Sequence, residues 1–300
     1  MKALIDTFLD EMLAQGRSVN TVRTYRSGLL RFAREIGKPI AEIASRDVHV
    51  WLMGLKGISP ARRHNIRCSL ATFFDWCRRW DHIPEERDIM FRVGKIKRQE
   101  TVKRWLTQAQ VRKIQMVGCQ KALRGFLRFK TQAVIRFMAL TSWRLNEALS
   151  LRWTDIEFER AYMSYKLKGG SSDTYPLDGD IIALLRDYRK QYDRWQKRAL
   201  RRKLKSVQEC ARHGYVFPAR TGKKWLHAYD AVRAAGAAIG IKVHPHMLRR
   251  SFAQWYMDTG GQVDGLQMLM GHRDPRTTQG YYIRDLKLKR RARKGLKFRL

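Results

Sequence analysis

Acidic side chains are what this sequence lacks most. Its 300 residues hold 27 aspartates and glutamates against 62 lysines and arginines, a formal net charge of +35 at pH 7. An excess of that size points to a polyanionic partner. Nucleic acid leads, a membrane surface is second, and the ribosome offers the same chemistry. Long hydrophobic runs are missing too, since none approaches the ~18–20 residues that cross a bilayer. After Met1-Lys2 the run Ala3-Leu4-Ile5-Asp6-Thr7-Phe8-Leu9-Asp10-Glu11 is interrupted by acids where a signal core would be continuous. A soluble, cytoplasmic chain is expected.

Cysteine is scarce. Cys68, Cys77, Cys119 and Cys210 are far apart and lack paired metal-ligand spacing, which excludes a disulfide framework and leaves no visible metal site. They read as reduced thiols. No internal repeat of solenoid or propeller period is present. Apolar residues, in contrast, are plentiful: 44% of the chain is hydrophobic, which excludes disorder, and the length suffices for two domains with real cores.

The first eighty-odd residues read as helix throughout. Leu4, Ile5, Phe8, Leu9, Met12 and Leu13 form one stripe. Ser18 and Asn20 offer caps for a second helix, Ser45 for a third, and Ser59-Pro60 opens a fourth. Four helices with short connections predict a bundle over 1–86. Arg23, Arg26, Arg62, Arg63 and Arg67 cluster on it with few compensating acids, and read together as phosphate contacts. Residues 87–104 are basic and aperiodic, an expected interdomain linker.

A capping box at Thr107 and Gln110 opens a second domain over 105–285. Helical patterns run through Leu140. Residues 155–177 then alternate and carry aromatic rings around Gly169-Gly170, predicting a small antiparallel sheet. Helix resumes after Pro176, becomes densely basic over 194–206, and recurs in an alanine-rich stretch at 229–240. Residues 286–300 form a cationic tail. The fold class expected is mainly α with a small antiparallel β-sheet in the second domain.

Residues 244–282 concentrate reactive groups. His246 and Arg249 stand three apart after Pro245, so a helix starting there presents both on one face. A second helical pattern follows (Val263, Leu266, Leu269), then Gly271-His272, then Tyr281 and Tyr282. Upstream, Arg144 precedes Glu147 by one helical turn. Imidazoles, guanidiniums and a phenol suit attack on a phosphate diester. Arginine neutralises phosphoryl oxygens with a fork that never loses its charge, and preorganised donors of this kind supply ~3–4 kcal/mol each in transition states.

These boxes resemble those of the tyrosine recombinase (phage integrase) family. Thr141 to Ile156 resembles the first arginine box. His246-x-x-Arg249, then Gly271-His272, then Tyr281 nine residues later, resembles the second. Lys168-Gly169-Gly170, ahead of Pro176, matches the position of the family's lysine on a β-turn; Lys166 on the same strand face is the alternative. Residues 1–86 resemble the family's helical (SAM-like) core-binding domain, with Ser18-x-Asn20-Thr21 and Tyr25. The resemblance thus spans essentially the whole chain. It departs where Ser142-Trp143 replaces a common Gly-Leu, where Arg250 replaces a histidine, and at Gly280.

The resemblance implies a site-specific recombinase acting through a 3′-phosphotyrosine, with no metal, ATP or other cofactor. Tyr281 is the implied nucleophile, with Tyr282 as fallback, and Arg144 and Arg249 hold the non-bridging oxygens. Lys168 protonates the 5′ oxygen, His246 is the base, His272 donates to the phosphate, and Glu147 orients its neighbours. The implied partners are double-stranded DNA sites and further copies of the chain, a dimer per site and a tetramer on two duplexes. Two alternatives stand beside it: a type IB topoisomerase-like enzyme, and a non-catalytic architectural DNA-binding protein.

Overall fold

The structure is a computed structural model that describes residues 1–96, 104–166, 172–201 and 214–271. The chain divides into two units, Met1–Val102 and Lys103–Leu300, each with its own core.

In the first unit four helices follow one another: α1 (Lys2–Ala14), α2 (Val19–Ile36), α3 (Ser45–Gly54) and α4 (Pro60–Arg79). Two starts are as the sequence predicts. Ser18 Oγ accepts from the Thr21 N–H at 3.1 Å. Ser59 Oγ accepts from the Arg62 N–H at 3.2 Å, with Pro60 at the first helical position. Ser45 does not cap. It lies inside α3, because Asp47 reaches back to the Ala44 N–H at 2.9 Å and fixes the start one residue earlier. The core gathers Ile5, Phe8 and Leu9 with Leu29, Phe32, Leu52, Leu70 and Phe73. Phe8 meets Phe73 edge-on, centroids 5.5 Å apart.

The expected linker needs correction over its first ten residues. Ile89, Met90 and Val93 are buried in the first unit's core. Arg87 donates to the Ala41 and Ile43 carbonyls, and the His64 ring bonds the Ile96 carbonyl at 3.1 Å. The segment has no helical or strand period because it is a chain of turns, yet its apolar residues close the bundle.

The second unit opens with Thr107 and Gln110 capping each other reciprocally, at 3.1 and 2.9 Å. Helix α5 (Gln108–Lys113) widens into a π turn at Ile114–Gly118 before α6 (Cys119–Ala122). A side chain on Gly118 would collide with the Ala235 backbone, so glycine permits the close approach there. Helix α7 (Gly125–Thr141) and the short α8 (Leu145–Ala148) lead into the sheet. Its strands β1 (Ile156–Glu157), β2 (Tyr162–Lys166) and β3 (Ser172–Pro176) pair antiparallel in that order. Tyr162 faces Pro176 and Lys166 faces Ser172.

Among the described residues four more helices follow: α9 (Gly179–Arg201), α10 (Ala228–Ala237), α11 (Pro245–Asp258) and α12 (Val263–Met270). The basic stretch from 194 continues α9 as far as Arg201, and 202–206 lie outside the described residues. α7 packs against both α9 and α11, and contributes Val134, Ile135, Phe137 and Met138 to the core. Among the described residues, no helix is long and apolar enough to cross a membrane.

Candidate active site

The site begins where α7 stops. Ser142 adopts a left-handed backbone (φ 58°) and its N–H caps the Met138 carbonyl at 3.1 Å. That turn drives Trp143 into the core, where it is 1% exposed. Its ring lies against Phe137, Tyr165 and Tyr175, with centroids 5.5, 4.4 and 5.8 Å away. One helix end and two strands are thereby fixed to the residue that precedes Arg144.

Arg144 leaves this anchor in extended backbone, at the start of α8. Glu147, one turn on, accepts from both its N–H and its Nη1, each at 2.7 Å. The carboxylate thus caps the short helix and aims the guanidinium in one act. Arg144 keeps 35% of its side chain exposed and Glu147 only 9%.

Arg249 arrives from more than a hundred residues downstream. Pro245 starts α11 and His244 precedes it in extended backbone, which puts Arg249 on the second turn, 1% exposed. Its Nη1 donates to the Ser142 carbonyl and its Nη2 to the Met270 carbonyl, both at 2.6 Å. Nη1 also stands 4.0 Å from Glu147 Oε2. One buried cation therefore joins the end of α7, the cap of α8 and the end of α12. Such burial is tolerated only because carbonyls and a carboxylate compensate it.

His246 sits one turn before Arg249, on the exposed surface of α11. Neighbouring protein still strips water from the ring, and this desolvation, followed by the charges of Arg249, Arg250, His244 and Arg144, holds its pKa below the usual 6.5. The imidazole is therefore neutral at pH 7 and able to accept a proton.

Of the residues singled out from sequence, Arg144, Glu147, His246 and Arg249 come together. α12 ends at Met270, with Gly271 left-handed at φ 58°, so the chain is held at the cluster up to the break expected before His272. His272, Tyr281 and Lys168 lie outside the described residues. So do Tyr282, Gly280 and the tail 286–300.

The five arginines singled out in the first unit divide. Arg23 and Arg26 are exposed, with Arg26 pairing Asp6 at 3.2 Å. Arg62 donates to Ser27 Oγ at 2.9 Å. Arg63 and Arg67 bond within their own unit. Arg63 donates to the Leu55 carbonyl, and Arg67 to the Gly94 and Val93 carbonyls at 2.9 Å each. Both hold turns of their own unit.

Cys77 and Cys119 are buried thiols whose pKa burial raises to about 12, so neither is a nucleophile at neutral pH. Sequence reading missed two parts of the cluster, the carbonyls of Ser142 and Met270. The only signal for the first was a non-glycine residue at a helix end that must turn left-handed.

The partly exposed Arg144 guanidinium, aimed by Glu147 and beside a neutral imidazole, can hold an anionic phosphoryl group while the imidazole takes up a proton, and the buried Arg249 braces the carboxylate that aims it. Comparison with known proteins agrees. Residues 104–287 match the model of the phage integrase family. The tyrosine recombinase XerA of Pyrococcus furiosus is 26% identical over 282 residues, covering 93% of this chain and 88% of that protein. The fold is similar to that of XerH recombinase bound to a palindromic difH substrate in a post-cleavage complex (TM-score 0.71, 20% identity, 93% of this chain and 81% of that one). It is also similar to a lambda integrase tetramer bound to a Holliday junction (TM-score 0.68, 17% identity, 93% of this chain and 76% of that one). The chain belongs to the phage integrase family and is a tyrosine recombinase, an enzyme that breaks and rejoins DNA strands.

Proposed function

We propose that this chain exchanges strands between double-stranded DNA sites with Tyr281 as its nucleophile. The phenolate oxygen attacks phosphorus, the bond to the 5′ oxygen breaks, and a 3′-phosphotyrosine and a 5′-hydroxyl result. His246 takes the phenol's proton and Lys168 gives one to the leaving oxygen. Arg144 and Arg249 hold the non-bridging oxygens, His272 donates to the phosphate, and Glu147 orients both guanidiniums. The diester's free energy stays in the covalent link, so an incoming 5′-hydroxyl reverses the step.

The observation carrying this reading is the joining of Arg144 and Arg249 through Glu147, from segments a hundred residues apart. Residues 1–96 would serve as the core-binding domain and 105–285 as the catalytic domain, acting in the cytoplasm on nucleoid DNA. Assembly as a dimer per site and a tetramer on two duplexes fits the lambda integrase neighbour, itself a tetramer on a Holliday junction.

The test is a set of nicked suicide duplexes drawn from DNA flanking the coding sequence. Wild-type protein should form a covalent adduct at one position. Tyr281→Phe should bind the same duplex and form none. Adduct persisting in that variant would transfer the nucleophile to Tyr282, and no adduct from wild type on any flanking duplex would remove the assignment.

A further inference from the structure

Helix α9 carries a feature that strand cleavage does not use. Its buried face is Ile181, Leu184, Leu185, Tyr188 and Tyr192, and the helix packs with it against α7. On the opposite side Arg186, Lys190, Arg194, Lys197 and Arg201 are all exposed. At 3.6 residues per turn these five fall within about 80° of arc and run for roughly 22 Å along the axis. From Arg194 to Arg201 the sequence contains no acid, and Arg198 widens the row. Asp193, at the margin, is engaged by Arg189 at 3.1 Å.

Rows of like charge at i, i+4 destabilise a helix, so solvation alone is a poor reason for such an arrangement. Favourable interaction with the helix dipole accounts for the last turn and not for Arg186 to Arg194. A line of cations one helical turn apart suits the regular charge of a phosphate backbone, and arginine dominates it as phosphate contact favours. A bilayer fits worse. A surface-bound helix buries an apolar face in lipid, whereas the apolar residues of α9 are in the protein core.

We propose that the outer face of α9 is a second DNA-binding surface, which holds the phosphate backbone of a duplex segment outside the one gripped at Arg144 and Arg249. The surface increases residence on DNA without base readout. It goes beyond the recombinase reading and stands on different residues.

The experiment compares wild type with the triple variant Arg194→Gln, Lys197→Gln, Arg201→Gln on fluorescent duplexes of arbitrary sequence, about 20 and about 60 base pairs long, at rising salt. Each lost phosphate contact removes about 0.9 from the log–log slope, so the triple variant's slope on the longer duplex should be shallower by about 2 to 3. The variant with Arg194→Lys and Arg201→Lys should keep the wild-type slope. Adduct formation on a short nicked substrate should stay within about twofold of wild type in both, which separates this surface from the catalytic grip. Equal slopes in wild type and triple variant would overturn the proposal. So would a parallel loss of adduct formation, or a loss confined to binding of phosphatidylglycerol vesicles. Matching melting temperatures exclude misfolding as the cause of a shallower slope; a lowered one, with the double lysine variant also shallow, counts against the proposal.

Discussion

Glu147 keeps apart the consequences of two positive charges that share one small space. It binds Arg144 twice and stands 4.0 Å from Arg249. Removing one member of a buried ionic set costs about 3 kcal/mol, because the remaining charge loses compensation. Glu147→Ala should lower the protein's unfolding free energy by about that amount in denaturant titration, and Glu147→Gln by less, since an amide oxygen can still accept from Arg144. Stability unchanged in the alanine variant would mean that Arg249 is compensated by its carbonyls alone. His246 supplies a pH signature. Its folded-state pKa lies below 6.5, so folding favours the neutral ring. That contribution to stability is present above pH 6.5 and is lost as pH falls through the depressed folded value. On the proposed roles, single-turnover adduct formation should decline along the same fall, with a midpoint under 6.5. A midpoint above it would reverse the sign of the local field. These four side chains were legible through the resemblance of their two boxes to those of the family, in which residue type, order and spacing agree. The carbonyl partners of Arg63 and Arg67 were not, since a guanidinium on a basic helix reads the same whatever carbonyl of its own chain it meets.

At the scale of elements, helix starts were easier to read than turns. Ser18, Ser59 and Thr107 cap as their sequences suggest because the capping bond is local. Ser45 fails because Asp47 competes for the same start. The π turn at Ile114–Gly118 ends against the Ala235 backbone, a contact over a hundred residues away, and leaves no local mark. Ser142 is the informative case. The left-handed conformation costs a non-glycine residue about 1 kcal/mol, and it is held here by burial and by Arg249 on the Ser142 carbonyl. Ser142→Gly relieves that strain while giving the unfolded chain more freedom, an offset of about half the gain. The expected net is stabilisation by about 0.5 kcal/mol, a rise of roughly 1–2 °C in melting temperature. A fall would show that the Ser142 hydroxyl, 3.5 Å from the Leu269 carbonyl, matters more than the backbone.

For the whole molecule, the order of parts was legible and the junction between them was not. A bundle, a short sheet and a helical catalytic half follow from periodicities of 3.6 and 2. The stretch from residue 87 has neither, so it reads as linker, although Ile89, Met90 and Val93 are 2%, 9% and 3% exposed in the first core. Burying each of these side chains contributes about 1.5–3 kcal/mol. Together they approach the ~5–15 kcal/mol that holds a typical domain folded. Arg87 adds a second tie by donating to the Ala41 and Ile43 carbonyls. A fragment of residues 1–102 should therefore melt cooperatively when followed by circular dichroism, while a fragment of residues 1–86 should be largely unfolded at 25 °C or melt far lower. If the two fragments melted together, the segment would be packed on the bundle without supporting it, and the boundary at 86 would stand as the sequence suggests.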